Sequence, residues 1–251
     1  METKTNNHVI TIPLEFRIAC SLYKLNPREV MQIFIDHATV YDWVSEDYSE
    51  GFTEASNTIG SYIVDARRIL SGCHCYRHCL DSAAITYSGI YDLAQRKKGY
   101  AKAKRRKSLT YIDELYATMQ RVYTCSDTFY VEKHITLELS KNFIVLCELN
   151  NCYPAEYLEY FMNQISIAQM EAKTGLELLY DNFTMAFFMK IVMGFGLADD
   201  DMTDYNEEDI IFLLELEDLR AECYHIDSLE ERVAVFKEFC QKRYDQIVNQ
   251  N

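Results

Sequence analysis

The chain has 251 residues, of which 49% are hydrophobic, and this composition excludes disorder along the whole chain. Only 8 glycines and 3 prolines occur, which disfavours folds with many tight turns and favours long helices joined by short connections. The formal net charge of −14 lies entirely in residues 155–251, which hold 7 Lys and Arg against 21 Asp and Glu, whereas residues 1–154 hold 18 of each.

The sequence also bears on the location of the protein. The first residues, METKTNNHV, are polar and lead into no apolar segment of a secretory signal. The longest apolar stretch, residues 184–198, is interrupted by Lys190 and is shorter than the roughly 18 residues expected of a membrane span. Nine cysteines at irregular spacing favour reduced thiols over a disulfide framework. We therefore expect a cytoplasmic protein without membrane association.

The N-terminal residues predict a strand followed by two helices. Residues 8–12, HVITI, alternate in polarity before a proline and give the only convincing strand candidate in the sequence. A helix over 14–25 follows, and Asn26 and Pro27 then provide an N-cap and a first helical residue for a second helix that continues to Tyr41. We predict an N-terminal unit over 1–48.

The remaining residues, 49–251, predict a helical body with an acidic C-terminal third. Pro154 begins the clearest amphipathic segment, and a capping box at Ser228 begins the last helix. The expected fold class is mainly α, a multi-helix bundle-like array with one short N-terminal β-strand. Besides the segment from Pro154, the predicted helices of the body cover residues 49–71, 75–98, 100–124, 127–150, 176–193, 207–223 and 228–248.

The order of strand, helix, sharp turn and helix over 8–42 resembles a ribbon-helix-helix unit. The resemblance implies that two copies pair their strands into a homodimer, and that the ribbon reads DNA with outward side chains. It places Asn7, Val9 and Thr11 on the outward face, with Asn26 and Arg28 at a phosphate site. Val9 departs from the pattern because it offers no hydrogen bond to a base. The alternative is a strand that docks on the helical body.

A basic run over 96–107, RKKGYAKAKRRK, holds eight Lys and Arg and no acid. If the run is helical, Lys98, Lys102, Arg105 and Arg106 share a face that can meet several phosphates, and Tyr91, Tyr100 and Tyr111 are available to stack on bases. Alternatively, the run is a solvated surface or lies against the acidic C-terminal third. The candidate nucleic-acid-binding residues are Lys97, Lys98, Lys102, Lys104, Arg105, Arg106 and Lys107, together with Asn26 and Arg28.

Three other clusters have the residue types of a metal site. Cys75, His78 and Cys79 have a workable spacing for ligands, but tetrahedral zinc needs four and no second cluster occurs, so buried packing is favoured. Glu222 and His225 form one Glu-x-x-His motif where a di-iron bundle needs two. The acidic stretch 199–209 has Asp209 where a calcium loop requires glycine. We expect no cofactor.

The sequence lacks the serine-nucleophile, dinucleotide and phosphate-loop motifs of common enzymes. The favoured interpretation is therefore a non-catalytic regulatory or interaction protein that binds nucleic acid or an acidic partner through 96–107 and the N-terminal unit. One alternative is a helical scaffold that binds a protein partner through its acidic C-terminal surface. Another is a metal-binding helical-bundle enzyme that uses either the Cys and His residues of the first cluster or Glu222 with His225.

Overall fold

The computed structural model of the protein describes residues 10–65, 74–122, 126–132, 135–174, 182–197 and 207–250. These residues form helices and one two-stranded antiparallel sheet, which confirms the mainly α fold class. In chain order the elements are α1 (Leu14–Leu22), α2 (Pro27–His37), α3 (Val40–Val44), α4 (Phe52–Asp65), α5 (His74–Ala94), α6 (Ala101–Val122), β1 (Thr128–Val131), β2 (Ile135–Glu138), α7 (Lys141–Leu149), α8 (Pro154–Asn163), α9 (Ile167–Lys173), α10 (Phe183–Val192), α11 (Glu207–Glu222) and α12 (Leu229–Gln250).

The chain divides into two compact units, the first formed by residues 1–12 and 28–162. Aromatic side chains from three helices form its core. The ring of Phe34 on α2 stacks on Phe161 of α8 with 3.9 Å between centroids, and Phe143 of α7 stacks on Tyr157 at 5.4 Å. The buried Tyr157 hydroxyl donates to the carbonyl oxygen of Ala55 on α4. The predicted boundary at residue 48 lies within this unit.

The sheet of the first unit pairs β1 with β2, Thr128 opposite Glu138 and Val131 opposite Ile135. The predicted N-terminal strand is therefore wrong: of its residues that the structure describes, only Ile10 pairs, through an isolated parallel bridge to Val131. The predicted helix over 127–150 is also wrong for 128–138. These two segments, TFYV and ITLE, are rich in β-branched and aromatic residues, which favour strands.

Both outer edges of the sheet are bonded within the chain. On the β1 side, the Glu132 N–H donates to the carbonyl oxygen of Ile10 at 2.9 Å. On the β2 side, Gln32 of α2 donates from Nε2 to the Glu138 carbonyl at 2.8 Å and accepts from the Glu138 N–H at 3.0 Å. Arg28 Nε donates to the carbonyl of Thr136 at 3.1 Å. Side chains of α2 thus take the place of a third strand.

The second unit is formed by residues 13–27 and 163–251. In it α12 packs against α9 and α1, and a single 3-10 turn over Cys223–His225 follows α11. The fully buried Arg232 of α12 donates to the carbonyl oxygens of Ala172 at 2.7 Å and Cys223 at 2.9 Å, and to that of Thr174. This guanidinium satisfies carbonyls at the C-terminal end of α9, where helical hydrogen bonding ends.

The capping signals predicted three helix starts correctly. Helices begin at Pro27 and Pro154, and the Glu231 N–H donates to the Ser228 hydroxyl at the start of α12. The second helix ends at His37 rather than Tyr41, because Thr39 caps the separate helix α3 by accepting from the Asp42 N–H. The ends of three predicted helices, at 66–71, 123–124 and 176–181, lie outside the described residues.

Two glycines within helices of the first unit are expected to respond in opposite ways to substitution by alanine. A Cβ added at Gly60 of α4 meets no atom within 4 Å, whereas one added at Gly89 of α5 would lie 2.4 Å from Tyr111 Cε1 on α6. We expect Gly60→Ala to raise the free energy of unfolding by about 0.5–1 kcal/mol through helix propensity. We expect Gly89→Ala to lower it by about 1 kcal/mol through overpacking. Urea unfolding followed by circular dichroism measures both free energies. Equal changes in the two variants would contradict the close approach of Tyr111 to Gly89.

Candidate functional site

The basic run connects two helices that pack on each other. Residues 95–100 link α5 to α6, and Gly99 adopts a left-handed φ of 104°. The carbonyl of Tyr100 accepts from the N–H groups of Ala103 and Lys104, which opens α6. The first half of the run is therefore loop and the second half is helix. Lys98 precedes α6, so it does not belong to the predicted helical face with Lys102, Arg105 and Arg106.

Lys104, one of the predicted binding residues, is buried in the first unit. Its Nζ donates to Asp47 Oδ2 at 2.8 Å and to the carbonyl oxygen of Ala94 at 3.1 Å. The hydrogen bond to Asp47 raises the pKa of the Lys104 ammonium, and the same bond lowers the pKa of the Asp47 carboxyl. Lys104 thus joins the start of α6 to the end of α5 and to the loop after α3.

Arg105, a second predicted binding residue, is paired with the buried Asp42 of α3. Its Nε and Nη2 donate to the two carboxylate oxygens, the latter at 2.7 Å, and Thr39 Oγ1 donates to the same carboxylate at 2.6 Å. The guanidinium carbon lies 3.6 Å from the ring centroid of Phe52. Bidentate pairing and stacking are the contacts that arginine makes best, and here they hold α6 on α3 and α4.

The six other cations of the run are exposed. None of them makes an ion pair or a side-chain hydrogen bond within the part of the chain that the structure describes. Several other described cations are bonded to acids of their own unit, as in the pairs Lys24–Asp209, Lys141–Asp113 and Lys237–Glu15. We call the six residues the basic surface: Arg96, Lys97, Lys98, Lys102, Arg106 and Lys107.

A cavity of about 470 Å³ lies between the loop and the first turns of α6. Four residues of the basic surface line it, namely Arg96, Lys97, Lys98 and Lys107, and Leu93 contributes an apolar wall. No acid lines it among the described residues, and the first turn of α6 carries no acid either. The positive end of the α6 dipole adds to these charges. The cavity is therefore suited to an anion.

The aromatic side chains near the run differ in their availability. Tyr100 is 88% exposed and lies between residues of the basic surface, while Tyr91 is 43% exposed on α5. Tyr111 is half-buried, and its ring lies against Gly89. Of the three tyrosines singled out in the sequence, Tyr100 is the one most open to a stacking partner.

The predicted phosphate site at the start of the second helix has other contacts. Arg28 donates to the Thr136 carbonyl, as described above, and Asn26 also interacts within the chain. Asn7 and Val9 lie outside the described residues, and Thr11 is exposed. Ile10 is bonded within the chain, and the pairing of this segment between two copies stays a prediction.

The candidate metal ligands do not form a site in the described residues. Cys79 is buried on α5, whereas the side chains of Cys75 and His78 lie outside the described residues. Glu222 and His225 are exposed. No group of three or more His, Cys, Asp and Glu side chains placed to hold a metal occurs among the residues that the structure describes. Of the acidic stretch 199–209, the described part forms the first turn of α11.

Sequence reasoning missed the structural roles of Lys104 and Arg105. One signal was present for Lys104: the buried residues Ile112, Leu115 and Met119 continue N-terminally at helical spacing to Ser108 and Lys104. Extending that stripe would have placed the lysine on the core side of α6. No comparable signal existed for Arg105, since its partner Asp42 is 63 residues away along the chain.

Comparison with protein-family models, with curated proteins and with solved structures gave no match. None of the helices in the described ranges is both long and apolar enough to cross a membrane. The interpretation of the basic surface therefore rests on its own geometry and charge.

Proposed function

We propose that the protein binds nucleic acid through the basic surface. The observation that carries the proposal is the concentration of six exposed cations without acidic partners in the described chain, in a protein whose net charge is −14. Six like charges at the positive end of a helix repel one another, and phosphates relieve that repulsion while releasing their counterions.

Single-stranded nucleic acid is the form that the surface fits best. Tyr100 is exposed among cations, and an aromatic ring beside a track of positive charge is the usual platform on which unpaired bases stack. The acidic charge of residues 155–251 opposes binding elsewhere on the chain, so contact is confined to the basic surface.

The test is a titration of a labelled single-stranded oligonucleotide by fluorescence anisotropy at several salt concentrations. We expect the double variant Lys102→Ala/Arg106→Ala to bind about tenfold or more weakly for every sequence tested. Two lost phosphate contacts should also reduce the slope of log affinity against log salt by about 1.4. Both residues are exposed on α6, so the fold should be unchanged.

A matched control removes the same charge elsewhere. Arg121 and Lys242 are exposed and make no ion pair in the described residues, so Arg121→Ala/Lys242→Ala should leave affinity and salt slope nearly unchanged. Tyr100→Ala should lower affinity by about tenfold without changing the slope, because stacking contributes about 1–3 kcal/mol per base. Absence of binding to single strands and duplexes at low salt would overturn the proposal.

A further inference from the structure

Helix α11 in the second unit exposes apolar side chains on its outward face. Phe212 and Leu216 are buried, as expected for the inner face of a surface helix. Their neighbours Ile210, Ile211, Leu213 and Leu214 are 51%, 47%, 40% and 56% exposed. We call these four residues the α11 patch. Four large aliphatic side chains open to solvent within two turns mark an interaction surface rather than scattered exposure.

The α11 patch continues into a cavity of about 250 Å³. Leu213 belongs to both, and the cavity is otherwise lined mainly by apolar residues from the ends of α1 and α10, among them Leu22, Leu25 and Val192. The ion pair between Lys24 and Asp209, 2.5 Å apart, lies at the same cavity. Its volume and lining suit one large apolar side chain inserted from outside.

The unpaired charges around the α11 patch are mostly negative, because the two cations that reach α11 from other helices, Lys24 and Arg243, are paired with Asp209 and Glu208. Helix α11 carries seven acids and a single cation, Arg220, whose guanidinium is bonded to the buried Glu171 of α9. Exposed acids lie on the turns before and after the patch, at Glu207, Glu215, Glu217, Asp218 and Glu222. A second copy of this surface would bring like charges together, and nucleic acid would be repelled. Complementarity therefore favours a cationic partner.

We propose that the α11 patch and its cavity bind an amphipathic helix of a partner protein, with apolar residues on one face and Lys or Arg on its flanks. The partner's apolar stripe covers Ile210 and Leu214, which are one helical turn apart, and one of its side chains fills the cavity. Its cations meet the acids of α11. This is the helix-in-groove mode of recognition, and it does not depend on the basic surface.

The experiment uses the full chain and a fluorescein-labelled synthetic peptide of leucine and lysine, with leucines at helical spacing on one face. We expect saturable binding with one peptide per chain. Ile210→Ser/Leu214→Ser should weaken binding by at least tenfold, and Glu217→Lys/Asp218→Lys should weaken it and reduce its salt dependence. The controls are Val248→Ser and Glu230→Lys, exposed positions on α12 that should not change the affinity.

Three results would overturn the proposal. A peptide of the same composition with its leucines scattered around the helix could bind equally well, which would indicate charge attraction alone. The Ile210→Ser/Leu214→Ser variant could bind as tightly as the wild type while giving the same circular dichroism melt. Sedimentation could show a dimer that this variant dissociates, in which case the occupant of the α11 patch is a second copy.

Discussion

Replacing Arg232 by alanine is expected to lower the free energy of unfolding by about 3–5 kcal/mol. Arg232 is fully buried and donates to the carbonyl oxygens of Ala172, Thr174 and Cys223. Alanine would leave these three acceptors without their guanidinium donor and would open a cavity where a large side chain had been. Both effects lower stability, and they act at the junction of α9, α12 and the turn after α11.

Two further variants separate these causes. Arg232→Met keeps most of the volume and removes only the donors, so we expect a smaller loss than with alanine. Lys242→Ala removes a cation from the exposed face of the same helix and should change stability by less than about 0.5 kcal/mol. Urea unfolding followed by circular dichroism is the measurement. If Arg232→Ala unfolded at the same urea concentration as Lys242→Ala, the hydrogen bonds of the buried guanidinium would not stabilise the fold.

Arg105→Ala is expected to destabilise the first unit by about 3–5 kcal/mol, because it leaves the carboxylate of Asp42 buried without its cation. Asp42 is 1% exposed, and Thr39 Oγ1 would be its remaining side-chain donor among the described residues. The matched control is the next residue, Arg106→Ala, which removes an exposed guanidinium and should have little effect on unfolding. Similar melts for the two variants would contradict the structural role of Arg105.

This result also decides how nucleic-acid binding is to be tested. A variant that replaces Lys104 or Arg105 with alanine loses contacts that hold α6 in place, so weaker binding would follow from a weakened fold. Lys102 and Arg106 are exposed and make no such contacts. Substitutions at these two positions report on the interface itself.

Local chemistry explains which helices were predictable. Pro27, Pro154 and Ser228 specify helix starts through fixed φ or side-chain capping, and these signals act over a few residues. The hairpin was missed because its strands are four residues each, and the residues that complete its outer edges, Gln32 and Ile10, lie far away along the chain. Residues 8–12 have the better alternating pattern, but alternation does not supply a partner strand.

The sequence predicted which segment contains the candidate site, but it did not predict which residues of that segment are exposed. Eight cations within twelve residues identified the run 96–107, but which cations are exposed depends on where α6 packs. Lys104 and Arg105 face Asp47 and Asp42, partners that lie 57 and 63 residues earlier in the chain. The α11 patch was not predicted either, because which apolar residues of 210–216 are buried depends on how α11 packs in the second unit.

The covered edges of the small sheet have a consequence for how the protein behaves at high concentration. A strand with free backbone groups can act as a template for strands of other molecules, which is the first step towards fibrils. Here Ile10 occupies one edge, while Gln32 and Arg28 occupy the other. These backbone and side-chain contacts therefore also protect the chain from intermolecular aggregation along the edges of the hairpin.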